Sequence, residues 1–170
     1  MSIAYLLGVL HDATERKNTF RISSKEKSFV KFLERMIKNL NHNAWIYKEG
    51  KNRHMYIVEF SKKIIKNVKI CSKQEKIDYI RGYFDAEGSV PISSNVRFYI
   101  YFAQKNRNDL EQVKSYLLDI GIKCGKTHNP SKKVDPNYWR FYLSCTSYIK
   151  YIKEIGSWHP KKSQILRMMI

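Results

Sequence analysis

Apolar side chains along the chain follow two rhythms, and the rhythms come round twice in the same order. Phe29, Phe32, Leu33, Met36, Ile37 and Leu40 recur every three or four residues, which lays one apolar stripe along a helix. Leu110, Val113, Leu117 and Ile120 repeat that spacing and predict a second helix over 108–120. Each stripe needs a sheet to cover. Ahead of each, the period drops to two. Thr19, Arg21 and Ser23 alternate with Phe20 and Ile22, and Arg97, Tyr99 and Tyr101 alternate with Phe98, Ile100 and Phe102 over 96–103. Behind each helix lie further strands. Residues 44–48 and 54–61 form a hairpin around Glu49-Gly50-Lys51-Asn52, and 138–145 is a return strand with Arg140, Tyr142 and Ser144 on one face. Gly121 and Gly125 bracket a short strand, and a polar loop over 129–137 carries Lys132 and Lys133. A short helical stretch over 62–67 leads into a central helix, and Pro160 opens the last one.

That central helix ends on Tyr79-Ile-Arg-Gly-Tyr-Phe-Asp-Ala-Glu-Gly-Ser89, and two of its features work against helix stability. Gly82 in mid-helix costs roughly 1 kcal/mol against alanine. Asp85 and Glu87 crowd the last turn, where the helix dipole is already negative. A glycine there allows another backbone to approach closely. Acids beside free carbonyls suit a hard divalent cation. Gly88 then supplies the left-handed residue expected to end the helix. Near the start, Leu6-Leu7-Gly8-Val9-Leu10-His11-Asp12-Ala13 has the same build, and Gly8 and Gly82 are 74 positions apart. The chain is an internal repeat. Each half reads helix, two strands, helix, two strands, helix, with the short strand after each glycine helix the least marked. The fold class is α+β with antiparallel sheet. The halves are 1–72 and 73–170, each too small for an ample core alone, so 170 residues make one compact unit.

Gly82-Tyr83-Phe84-Asp85-Ala86-Glu87-Gly88 resembles the signature helix of the LAGLIDADG homing endonucleases, and Leu6–Ala13 looks like a weaker copy. The resemblance implies two pseudo-symmetric αββαββα halves forming a saddle-shaped DNA-binding sheet, with the signature helices packed at the centre through Gly8 and Gly82. It implies a monomeric, site-specific endonuclease that hydrolyses both strands of a long double-stranded target with Mg²⁺ or Mn²⁺, in intron or intein homing. Glu87 occupies the family's catalytic position. In the first helix that position is Ala13, and Asp12 lies one residue early, a helical rotation of about 100°. Asp12 and Glu87 are the expected metal ligands, provided the first helix changes locally near its end. Gln104 matches a family glutamine that orients water, and Ser24 holds the equivalent place in the first half. Lys73 and Lys161, each opening a helix, are expected phosphate neighbours. Asp85 is read as a helix-end residue that pairs with a base or orients its neighbours, and His11 and His159 as structural. Ala13 keeps a second reading open: a nicking or non-cleaving relative, such as a maturase-like RNA-splicing or nucleic-acid-binding protein.

Charge narrows the partner independently of the resemblance. Thirty-two Lys and Arg against 15 Asp and Glu leave +17, and 12 tyrosines lie among the basic residues. This favours nucleic acid over membrane. Arg21, Ser23, Lys48, Lys51, Arg53, Arg97, Tyr99, Tyr101, Lys132, Lys133, Arg140 and Tyr142 are the expected DNA contacts, residue types that reach phosphates and base edges from a β-ribbon. Cys71, Cys124 and Cys145 have no zinc spacing and read as buried thiols of a reducing, intracellular compartment, an organelle included. The apolar run 3–10 is too short to span a membrane and lacks a basic leader.

Overall fold

The computed structural model describes residues 2–50, 53–66, 68–93 and 95–169. Its centre is a pair of helices, α1 (Ile3–Val9) and α3 (Lys73–Glu87). Serine and glutamate start α3 firmly: Ser72 Oγ accepts from the Glu75 N–H at 3.2 Å, and the Glu75 carboxylate accepts from the Ser72 N–H at 2.8 Å. The two helices touch backbone to backbone at the repeated glycines. A Cβ on Gly8 would stand 2.2 Å from the carbonyl oxygen of Tyr79, and one on Gly82 would stand 2.0 Å from that of Tyr5. Any side chain at either position separates the pair.

Around them the halves follow one plan. A four-stranded antiparallel sheet has the order β1 (Thr14–Glu15), β2 (Thr19–Ser24), β4 (Tyr56–Ser61), β3 (Ala44–Lys48). The second sheet has the order β5 (Gly88–Ser89), β6 (Tyr101–Gln104), β7 (Trp139–Tyr142). Isolated bridges Cys124↔Leu143 and His128↔Arg140 stand where the second hairpin's other strand is expected. Helices α2 (Lys27–Asn39) and α4 (Arg107–Asp119) lay their stripes on these sheets and start 80 positions apart. Both end on a left-handed residue, Asn41 (φ 61°) and Gly121 (φ 77°). The repeat offset thus grows from 74 at the glycines to 80 at these helices, and the second half carries the extra residues between β5 and β6.

Two apolar clusters result. One gathers Tyr5, Leu6 and Val9 with Ile22, Leu33, Met36, Val58 and Phe60; the other gathers Ile80, Tyr83 and Phe84 with Phe102, Leu110, Val113, Leu117 and Phe141. After α5 (Tyr148–Glu154), the segment 155–159 crosses back over the first half before α6 (Pro160–Arg167). Trp158 packs on Tyr5 at 4.5 Å and under the Arg81 guanidinium at 4.4 Å, and His159 packs on Phe29 at 4.7 Å.

Four expectations change. Gly88 has φ −81° and opens β5 in extended backbone; it is small because the Phe84 ring lies on it, 2.0 Å from where a Cβ would be. The strand predicted over 96–103 pairs only from Tyr101, although the Ile100 carbonyl still accepts from the Leu143 N–H at 2.9 Å. Cys71 and Cys145 are exposed rather than buried, and only Cys124 is partly covered, its thiol pushed up to about 12 by burial. The helix expected over 62–67 is a single 3₁₀ turn, Lys62–Ile65. Among the described residues no helix is long and apolar enough to cross a membrane.

Candidate active site

The one-residue mismatch between the signature helices is absorbed locally. Helix α3 stays regular through Glu87, and β5 begins at the next residue. Helix α1 stops at Val9, Leu10–Asp12 tighten into a 3₁₀ turn, and Ala13 is already extended (φ −85°, ψ 141°). A 3₁₀ turn advances about 120° per residue instead of 100°. Both halves therefore enter their first strand six residues after the glycine, at Thr14 and Gly88, while Asp12 swings toward the shared end of the helix pair.

There Glu87 lies in the field of Asp12. Burial pushes the Glu87 carboxyl up and the charge of Asp12 pushes it further, while Gln104 and Lys162 pull it back. Burial raises Asp12 as well, against the pull of Lys162. Gln104 Nε2 donates to Glu87 Oε1 at 2.9 Å, and Gln104 Oε1 accepts from the Lys105 N–H at 2.7 Å, which fixes the amide's orientation. Lys162 comes from α6. Its ammonium donates to the carbonyls of Phe84 and Asp85 in the last turn of α3, each at 2.8 Å, and the Phe84 carbonyl also accepts from the Gly88 N–H. Burial lowers it to about 8, even though Asp85, Glu87 and Asp12 all favour its charge. Asp12, Ser23, Ser24, Asp85, His159 and Lys162 line one cavity of about 160 Å³. Glu87 lies with Gln104, Lys105 and Tyr138 in a separate cleft.

A pair of crossed contacts locks the helices just before the acids. Tyr5 OH donates to Asp85 Oδ2 at 2.6 Å, and Tyr79 OH meets His11 Nε2 at 2.7 Å. Tyr5 and Tyr79 are 74 positions apart, as are His11 and Asp85, so these are one contact made twice with different chemistry. Asp85 is buried and also accepts from Ser157 Oγ and the Trp158 N–H; burial raises its carboxyl despite those donors. His11 reaches Asp109 at 3.5 Å, and burial lowers its imidazole despite that carboxylate.

The structure joins Gln104 to Glu87, puts Asp12 in the neighbouring cavity within range of Glu87's charge, and leaves two expected lysines out. Lys73 opens the 15-residue α3 while Glu87 closes it, so the two lie at its opposite ends, about 20 Å apart along the axis. Lys161 pairs with Glu26 at 2.5 Å. Its neighbour Lys162 faces the site instead, and it was missed. The available signal was helical phase, because Lys162 shares a face with buried Leu166 four residues on.

Of the expected DNA contacts, Arg21 and Ser23 lie on the outer face of the first sheet, opposite the side where Phe20 and Ile22 meet the core. Lys48 and Arg53 are exposed at the hairpin end, Arg53 3.6 Å from Glu49; Lys51 lies outside the described residues. On the second half Arg97 is exposed, and Arg140 stacks over Tyr101 and Tyr142 at 5.7 and 5.2 Å, with Tyr99 beside them. Lys132 and Lys133 are exposed in their turn.

Residues 74–156 match the LAGLIDADG-like domain family. The match begins in the first turn of α3 and takes in the clearer of the two signature helices. The whole arrangement is the LAGLIDADG fold. It superposes on the homing endonuclease I-DmoI bound to DNA and Ca with a TM-score of 0.69, at 21% identity over 97% of this chain and 96% of that one. For I-DmoI with DNA and Mn the values are 0.66, 22%, 90% and 94%. The N-terminal LAGLIDADG domain of DUF199/WhiA superposes with a TM-score of 0.70, at 15% identity over 91% of this chain and 80% of that one. An uncharacterised protein of Methanocaldococcus jannaschii is 26% identical over 145 residues, 72% of this chain. The chain spans about half the length of that curated relative, 55%.

The donor set at the ends of the two helices suits a magnesium-type ion. Among the described residues no group of three or more His, Cys, Asp or Glu side chains is gathered to enclose a metal. Mg²⁺ needs only one or two carboxylates, with water and phosphate oxygens completing its shell. Two partly buried carboxylates, both held above their ordinary range, gain most when a cation arrives between them.

Proposed function

We propose that the protein is a site-specific, divalent-metal-dependent endonuclease that cuts both strands of a long double-stranded DNA target. The observation that carries this reading is the meeting of Asp12 and Glu87, one acid from each half, at the ends of helices packed through glycine. One acid per half matches one scissile phosphate per strand. Bound Mg²⁺ or Mn²⁺ supplies charge stabilisation and an activated water. Asp12 and Glu87 would hold the ions. Gln104 orients Glu87 and offers a polar group toward water, and Lys162 holds the end of α3 in place and balances the three acids. The fold's likeness to I-DmoI, seen with DNA and with Mn or Ca, supports the reading, as does the charge of +17.

Cleavage of a randomised duplex library with Mg²⁺ tests it. The wild type is expected to cut one family of sequences. Asp12→Asn and Glu87→Gln are each expected to lose about 10²–10³-fold in rate or more, the scale of removing one charge-stabilising group. Unchanged cutting by either variant overturns the proposal.

A second reading is a nucleic-acid-binding protein without double-strand cleavage. Ala13 at the usual acid position favours it, together with an ammonium already set among the carboxylates. Under that reading the wild type selects duplex or RNA, and Mg²⁺ yields no product, or nicks in one strand only.

A further inference from the structure

Away from the acids, the outer face of the first sheet holds a polar group assembled in advance. Strand register sets Arg21 of β2 opposite Glu59 of β4, and Glu59 opposite Trp45 of β3. Thr19 Oγ1 donates to Glu59 Oε1 at 2.7 Å, and Tyr47 OH donates to Oε2 at 2.7 Å. Arg21 Nε lies 3.7 Å from Oε2, and its guanidinium stacks over the Tyr47 ring at 5.4 Å. The carboxylate is therefore oriented through both oxygens. Burial opposes its charge, and the two hydroxyls with Arg21 outweigh burial, so its carboxyl sits below the usual range. A typical surface ion pair lacks such bracing and contributes little.

The outer end of the arginine's fork is the part that can meet a ligand. Its Nε is buried beside Glu59 without a hydrogen-bond partner and is closed to a base, which leaves the two terminal nitrogens at the Tyr47 edge. A rigid planar fork with free donors matches two in-plane acceptors, which guanine presents as O6 and N7 in the major groove. Arg21 stands on an inner strand of the sheet, between β1 and β4, and side chains of a β-ribbon laid in the major groove reach base edges. Glu59 is not free to accept from cytosine, because both its oxygens are engaged.

We infer that Arg21 reads a guanine in the major groove of the target, with Glu59 as its brace. This rests on the proposed binding of double-stranded DNA. On its other side Arg21 pairs with Thr14, two residues after Asp12, which places the guanine close to the cleavage centre. In the second half the matching place holds Tyr101 opposite Tyr142, so the readout belongs to one half only and the target is not palindromic.

The test is selection from a randomised duplex pool by the full chain in Ca²⁺, repeated with Arg21→Lys and Glu59→Gln, each checked for a wild-type circular dichroism spectrum and melting point. Wild-type sites are expected to share a guanine at one position. Arg21→Lys loses that preference about ten- to a hundredfold, the scale of one bidentate base contact, with the other positions unchanged. Glu59→Gln weakens the same preference and no other. Equal weakening at every position marks a phosphate contact and overturns the inference, as does an unchanged guanine preference. Failure of the wild type to select any duplex overturns the proposed function itself, and this inference with it.

Discussion

Lys162 links the end of the chain to its chemical centre. It reaches from α6 to the last turn of α3, holds two carbonyls, and lies in the field of three acids. Its folded-state pKa of about 8 lies below the ordinary 10.5. Between those values the unfolded chain binds more protons than the folded one, so folding stability gains as pH rises from about 8 to 10.5. Below pH 8 the full cost of the buried ammonium is present. Urea midpoints measured from pH 7 to 10.5 are expected to show this gain in the wild type and not in Lys162→Met. Parallel curves for the two proteins would refute the assignment. At the same scale, legibility in the sequence depended on pattern. Glu87, Gln104 and Asp12 sat in or beside a motif and were readable. Lys162 sits in an ordinary run, Pro-Lys-Lys-Ser, and nothing local distinguishes it from Lys161, which turns outward to Glu26.

At the level of elements, the helix pair depends on two missing side chains. Glycine in an exposed helix costs roughly 1 kcal/mol, so alanine there normally stabilises. Here the added methyl meets backbone oxygen at 2.0–2.2 Å, which no rotamer change relieves. Overpacking of this kind costs about 1–3 kcal/mol. Gly82→Ala and Gly8→Ala are each expected to lower the melting temperature by a few to about 10 °C, and a rise would show that the helices separate without cost. At Gly88 the obstacle is the Phe84 ring, a side chain that can move, so Gly88→Ala is expected to cost less. The strands were readable where alternation was clean, and β2 and β4 are close to their predicted spans. The strand predicted over 96–103 pairs only from Tyr101. Alternation reports which face is wet, but it carries no information on where a partner strand begins.

For the whole molecule, a net charge of +17 predicts nucleic-acid binding that weakens steeply with salt. Lys132 and Lys133, exposed in the turn after the second sheet's bridged edge, are expected to meet phosphates. Changing both to Gln should reduce the slope of log affinity against log salt by about one unit per lysine, with sequence preference unchanged. An unaltered slope would remove that loop from the interface.

The division between sequence and tertiary structure follows from the range of the forces involved. Apolar periodicity, the spacing of Gly8 and Gly82 and the net charge are legible along the chain itself, so α2, α4, the repeat and a strongly basic character were all determined there. The pairing of the halves was implied by the glycines, but its chemistry was not. Tyr5 with Asp85 and Tyr79 with His11 join residues 80 and 68 positions apart, Lys162 reaches Phe84 from 78 positions away, and Trp158 reaches Tyr5 from 153. Whether Asp12 meets Glu87 was undecidable from spacing alone, because a regular helix turns it away. The tightening of one turn into a 3₁₀ helix decided it. That turn forms where Ala13 must already be extended to enter β1, a demand set by pairing with β2 and invisible to the three residues that carry it out.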